Sequence, residues 1–166
     1  MKPNMKPNIR KARPQDMDRV YEIELESFPP EEAATKEKYV WRQKRYPELF
    51  LVAEDGRGRV CGCICMISTS AALIDDTVFE MDPIPDGRTC AILTVMTEAA
   101  ARRQGVAGLL LEAGIDAARQ QNMESIVLTC KEHLVHYYSR FGFEKAGVSA
   151  SVHGGAVWYD MVQRLR

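Results

Sequence analysis

Excess charge of either sign is missing from this chain: 22 Lys and Arg stand against 23 Asp and Glu, a net charge of −1 over 166 residues. Broad nucleic-acid binding rests on many phosphate-neutralising cations, so that balance excludes it. Long apolar runs are missing too, and none approaches the roughly 20 residues that cross a bilayer. The N-terminus lacks the apolar centre of a secretion signal. It reads MKPNMKPN, a doubled polar tetrapeptide expected to form a disordered leader over residues 1–8, with Met5 a second possible start. A soluble cytoplasmic protein without a membrane partner is the expectation. The five cysteines are an odd count that suits no disulfide framework. Cys61, Cys63 and Cys65 alternate with Gly62 and Ile64, which in a strand puts three thiols on one face. That is poor geometry for a closed zinc site; small thiols packing as weak hydrophobes in a reducing compartment is the simpler reading. His133 and His136 stand three apart, but no third or fourth ligand follows at metal spacing, so no metal is expected. Neither GxGxxG nor GxxxxGK(S/T) occurs, which removes the Rossmann and P-loop fingerprints.

What is present is enough for one core: 46% of residues are hydrophobic, and the length suits a single domain, placed at residues 9–166. After Pro14, apolar residues recur at helical spacing through Met17, Val20, Tyr21, Ile23, Leu25 and Phe28, and Pro29-Pro30 ends that helix. A basic helix enters through Thr35 and stops at Pro47. LFLVAED and RVCGCICMIS flank Gly56-Arg57-Gly58 as a hairpin. The polar stretch over residues 68–87 reads as a loop with a short strand. TCAILTVMT and SIVLTC are buried strands, and between them Val106, Leu109, Leu110, Ala113 and Ala117 form the stripe of an amphipathic helix. HLVHYYSRF is a short helix stopped at Gly142, and FEKAGVSASV and AVWYDMVQRL supply two late strands. Interleaved strands and helices predict an α/β (α+β) fold: a central mixed, twisted sheet of about six or seven strands flanked by about four helices.

One stretch calls for a ligand. ARRQGVAG, residues 101–108, joins a strand to a helix through two arginines and two glycines. Unpaired N–H groups and the helix dipole gather at such a start, and glycine lets an anion approach the backbone. From these residues alone, a pyrophosphate cradle and an ordinary solvated helix start remain open. RRQGVA, however, resembles the R/Q-x-x-G-x-G/A loop of the GNAT acetyltransferases. HYYSRFGF, about thirty residues on, resembles their late-helix motif. VYEIELESF, YPELFLV and LTCKEHLVHYYSRFGF are similar in order to segments of the arylalkylamine N-acetyltransferases.

That resemblance implies a GNAT fold with acetyl-CoA as co-substrate. It assigns cofactor binding to Leu93, Thr94 and Val95 on a splayed strand and to Arg102, Arg103, Gln104, Gly105, Val106, Ala107 and Gly108 at the helix start. The connection from Val95 to Arg102 runs about two residues longer than the family's loop, which predicts a small bulge there. Tyr138 matches the family tyrosine near the thioester sulfur, where a phenol can protonate the departing thiolate; helix spacing by itself fits plain core packing. The paired histidines of the vertebrate members fall here on Thr89 and Ala91, neither of them a base. Other relatives carry an acid after the first helix, and Glu32 stands in its place. Phe28 and Pro47 match substrate-pocket positions. Asp75, Asp76, Glu80, Asp82 and Asp86 form a loop that could draw a cationic amine, although a solvated acidic loop is the commoner reading. The implied activity is transfer of acetyl from acetyl-CoA to a small primary amine, arylalkylamine- or polyamine-like, by direct attack in a ternary complex. A protein or peptide N-acetyltransferase of the same fold and a non-catalytic acetyl-CoA-binding module are the alternatives. The protein is expected to act as a monomer or homodimer.

Overall fold

A computed structural model of the chain describes residues 6–80 and 86–166. Its elements follow as β1 (Asn8–Lys11), α1 (Met17–Ser27), α2 (Lys36–Arg45), β2 (Phe50–Glu54), β3 (Val60–Thr69), β4 (Thr89–Thr97), α3 (Val106–Gln120), β5 (Ser125–Cys130), α4 (Val135–Ser139), β6 (Glu144–Val148) and β7 (Tyr159–Arg164). The strands make one sheet in the order β1-β2-β3-β4-β5-β7-β6. Only β4 and β5 run parallel, because α3 carries the chain back across the sheet between them. The mixed α/β architecture is the one expected from the interleaved pattern.

Local chemistry sets most element ends. Asp16 closes the entry to α1 by accepting from the Arg13 N–H at 2.7 Å and from Arg10 at 2.8 and 3.0 Å. The Thr35 hydroxyl accepts from the Lys38 N–H at 3.2 Å and starts α2. Gly105, at φ 79°, caps α3, and Gly142, at φ 95°, follows α4.

Helices α1 and α2 cover one face of the sheet over Met17, Val20, Ile23, Tyr39 and Phe50. Helices α3 and α4 cover the other, over Ile64, Met66, Leu110, Leu111 and Ile115. Strand β3 is buried along its whole length between the two layers. Gly114 is where α3 presses closest on β3: a Cβ there would stand 2.7 Å from Ile64 Cδ1 and 3.3 Å from Met66 Sδ. Gly114→Val is therefore expected to destabilise by about 1–3 kcal/mol as an overpacked core position. A lower urea midpoint at unchanged slope checks this, and an unchanged midpoint would show that β3 yields freely.

Several expectations need correction. Asn8, assigned to the leader, already pairs with Glu54 in β1, while residues 1–5 lie outside the described residues. In α1, Glu24 is 2% exposed and Leu25 57%, so the carboxylate takes the inward place that apolar spacing gave the leucine. The buried stripe of α3 is Val106, Leu110, Leu111, Gly114, Ile115 and Ala118, turned from the expected one. The three thiols do not share a face: the β2–β3 register shifts beside Cys61, which joins the core under α3 while Cys63 and Cys65 join the core under α1. In the stretch 68–87, Ser68 and Thr69 are the end of β3, and beyond them the described residues carry a 3-10 turn at Asp76–Phe79 rather than a strand of their own. The extra length after Val95 extends β4 to Thr97 and forms a 3-10 turn at Ala99–Ala101.

Candidate active site

The site begins with a fault in strand pairing. On its β3 side, β4 pairs Cys65 with Thr94 and Met66 with Ile92, which leaves Leu93 as an extra residue. Such a bulge bends and twists its strand. On its other side β4 pairs with β5 only over Thr89–Ala91, although β4 continues to Thr97 and β5 to Cys130. Strand β5 stays paired with β7 from Ser125 through Cys130, so β4 is the strand that departs. Along Leu93, Thr94 and Val95 the backbone facing β5 thus has no strand partner, and buried backbone groups require one. A cavity of about 320 Å³ fills the gap, with these three residues and Thr129 and Cys130 on its strand walls and Lys131 just beyond β5.

The loop before α3 is shaped for an anion. Arg103 and Gly105 both take positive φ, at 65° and 79°. Among the described residues, the N–H groups from Arg103 to Gly105 reach no backbone acceptor. The first-turn N–H groups of α3, on Val106, Ala107 and Gly108, add to them, along with the positive end of a 15-residue helix. The neighbouring side chains hold this loop in place. Arg102 donates to Thr97 O at 3.1 Å and to Ser27 Oγ at 3.2 Å, and Gln104 donates to Ala100 O at 3.2 Å. Arg102 is thus a brace, and the donors left without a backbone partner are the loop's own N–H groups. A Cβ on Gly108 would meet Phe141 Cζ at 3.2 Å, so the glycine lets the segment after α4 close on α3.

Tyr138 lines the cavity from the α4 side, held edge-on between Tyr137 and Phe143. Burial first, then the neighbouring Cys130 and Tyr137, push its phenol above the usual tyrosine range. It therefore stays a proton donor at neutral pH. Opposite lies Glu32, whose oxygens stand 3.0 and 3.1 Å from Lys131 Nζ, with that ammonium 5.6 Å from the Trp158 ring centre. Phe28 also faces the cavity.

Sequence reasoning passed over a second carboxylate on the same wall. Glu24 accepts from the Ala34 N–H at 2.9 Å and from the Tyr39 hydroxyl, which also reaches Thr94 Oγ at 3.3 Å. Burial raises the Tyr39 phenol well above its ordinary value, with Cys63 and Glu24 adding to it, so Tyr39 holds its proton toward the carboxylate.

Other expected residues lie elsewhere. Pro47 is exposed, opens a 3-10 turn at Pro47–Leu49 and does not line the cavity. Its fixed φ serves the exit from α2, and that turn packs on α3, across the sheet from the α1–α2 wall. Thr89 and Ala91 sit where β4 is still paired with β5, outside the cavity wall. The loop acids are tied into the body: Asp75 caps Thr77, Asp76 accepts from Ser151 and Val152, and Asp86 pairs with Arg45 at 2.8 Å and Ser68 at 2.9 Å. Asp82 lies outside the described residues. Among the described residues no three His, Cys, Asp or Glu side chains converge as a metal group.

Residues 17–143 match the acetyltransferase (GNAT) family. Among solved structures, the fold is similar to Ard1 from Thermoplasma volcanium, at 22% identity and a TM-score of 0.77 over 98% of this chain and 99% of that one. It is similar to the GphF GNAT-like decarboxylase in complex with isobutyryl-CoA, at 20% identity and 0.81 over 96% and 100%. It is likewise similar to Naa20 from Chaetomium thermophilum in complex with a bisubstrate analogue, at 24% identity and 0.70 over 95% and 86%. At these identities the likeness is one of fold.

Proposed function

Because the chain belongs to the acetyltransferase (GNAT) family, we propose that it moves the acetyl group of acetyl-CoA directly onto a small primary amine. The observation that carries the reading is the cavity at the β4–β5 gap, with Tyr138 on one side and Glu24 and Glu32 on the other. The unpaired backbone of Leu93, Thr94 and Val95 suits an amide-bearing arm, and the N–H groups from Arg103 to Gly108 suit a diphosphate. When bound there, acetyl-CoA supplies an acyl group on a good sulfur leaving group. Tyr138 Oη holds the proton that the departing thiolate needs. Glu32 takes the proton released by the amine, directly or through water. Its pairing with Lys131 holds that carboxylate at the cavity wall.

Diphosphate at the start of α3 places the cofactor on the α3–α4 face, so the amine enters from the α1–α2 face. There the segment before β7 meets the one after α1, where a Cβ on Gly154 would stand 2.5 Å from Glu32 Cγ, and the 3-10 turn after β3, where Val152 N–H reaches Asp76 at 3.2 Å. That closure favours a compact amine over an extended peptide, and Phe28 and Trp158 favour an aromatic one over a polyamine.

The test is thiol release from acetyl-CoA with tryptamine, phenylethylamine, spermidine, lysine and short peptides. Turnover on the small amines at least tenfold above peptides is expected. Turnover on peptides alone would replace the acceptor assigned here. Tight binding of acetyl-CoA without turnover on any acceptor would make the chain a binding module.

A further inference from the structure

Helix α2 turns two cations into the cavity. Lys38 and Arg42, four residues apart on one helix face, both line it. Like charges at that spacing repel. Arg42 is 2% exposed, which is rare for a guanidinium without a carboxylate partner. It donates to Phe79 O at 3.3 Å and lies 5.6 Å from the centre of the Tyr39 ring, with Cys65 beside it. Among the described residues no carboxylate forms an ion pair with Arg42 or Lys38. The other charges on the wall are committed: Glu32 pairs with Lys131, and Glu24 accepts from Tyr39 and Ala34. Arg42 thus keeps donors of its planar fork for a ligand, and that fork matches a carboxylate.

Resting on the acetyltransferase reading, we propose that the acceptor is a primary amine that also carries a carboxylate, an amino acid, and that Arg42 with Lys38 binds that carboxylate. Tyr39 sets the spacing. Its hydroxyl touches Thr94 at the gap where the acetyl group is delivered, and its ring lies against Arg42. The anion site therefore stands about one aromatic ring from the reacting end, a span suited to an amine and a carboxylate a few bonds apart. The same two cations repel a polyamine, which removes that class from the acceptors. Phe28 and Trp158 leave an aromatic side chain in favour.

The experiment compares kcat/KM for L-tyrosine against tyramine and L-tryptophan against tryptamine. Binding of N-acetyl-L-tyrosine and N-acetyltyramine is measured alongside by calorimetry, without acetyl-CoA. The amino acids are expected to exceed their decarboxylated partners by about tenfold or more, the scale of a charge-assisted pair. Arg42→Gln should erase that preference while leaving the tyramine rate within about threefold. Lys38→Gln, at a half-buried position, should halve it or more without disturbing the fold, and so serves if Arg42→Gln unfolds. Equal or better use of the amines by the unaltered protein overturns the carboxylate site and leaves the acetyltransferase intact. Turnover confined to peptides overturns both.

Discussion

Tyr138→Phe is expected to lower kcat about 10²- to 10³-fold, the worth of a well-placed general acid. Affinity for acetyl-CoA should stay within about twofold, because the proposed cofactor contacts are backbone groups of β4 and of the α3 start. The substitution removes one oxygen from a ring held by Tyr137 and Phe143, so packing survives it. The pH profile adds a check. Burial raises the Tyr138 phenol, so its acid form persists above the ordinary tyrosine value of about 10, and kcat should not fall on the alkaline side up to that pH. Calorimetry and turnover on the same preparation decide the matter. Unchanged turnover would make Tyr138 a packing residue, and lost binding would make it a cofactor ligand.

Glu32→Gln should cost about 10²-fold in kcat/KM at neutral pH, with much of the loss recovered as pH rises. The recovery is the diagnostic part. Without a carboxylate to take its proton, the amine must arrive already neutral, and the neutral fraction grows tenfold per pH unit below the amine's own pKa. Glu24→Gln keeps a hydrogen-bonding group toward Tyr39 and Ala34 and should show a smaller loss with no alkaline recovery. If instead Glu24→Gln shows the recovery and Glu32→Gln is nearly neutral, the proton goes to the inner carboxylate and the Glu32–Lys131 pair is a strut between the segments that follow α1 and β5.

Helix ends were legible in the sequence because their causes are local: Pro14, Thr35, Gly105 and Gly142 each act through their own φ or side chain. The glycine-bearing bend ahead of α3 was legible for the same reason. The gap was not readable from residues alone, since nothing in LTV announces that β5 stays with β7 while β4 bulges at Leu93. That outcome compares pairings of strands distant in sequence, and only the family resemblance pointed to it. Glu24 and Arg42 were passed over because charged residues on helices usually face water. Yet Glu24 stands four residues after Val20 and Arg42 three after Tyr39, inside the apolar stripe of each helix. A charge in that register was the available signal. Pro47 differs for the opposite reason: the family resemblance set it at a pocket position, while the turn it starts packs on α3, across the sheet.

The sheet that frames this cavity also hides every sulfhydryl in the chain. All five cysteines are free and buried, and loss of hydration lifts Cys61, Cys65 and Cys130 to about 11 and Cys90 to about 12. A disulfide reagent attacks thiolates, so it labels these positions only when the surrounding strands open. Labelling rates then become a clock for breathing of the sheet, residue by residue. Cys63, Cys65 and Cys90 time the central strands, whereas Cys130 times the cavity wall and alone should slow when acetyl-CoA is added. The folded protein is therefore expected to stay silent to the reagent during a thiol-release assay, so that the colour developing there counts released CoA.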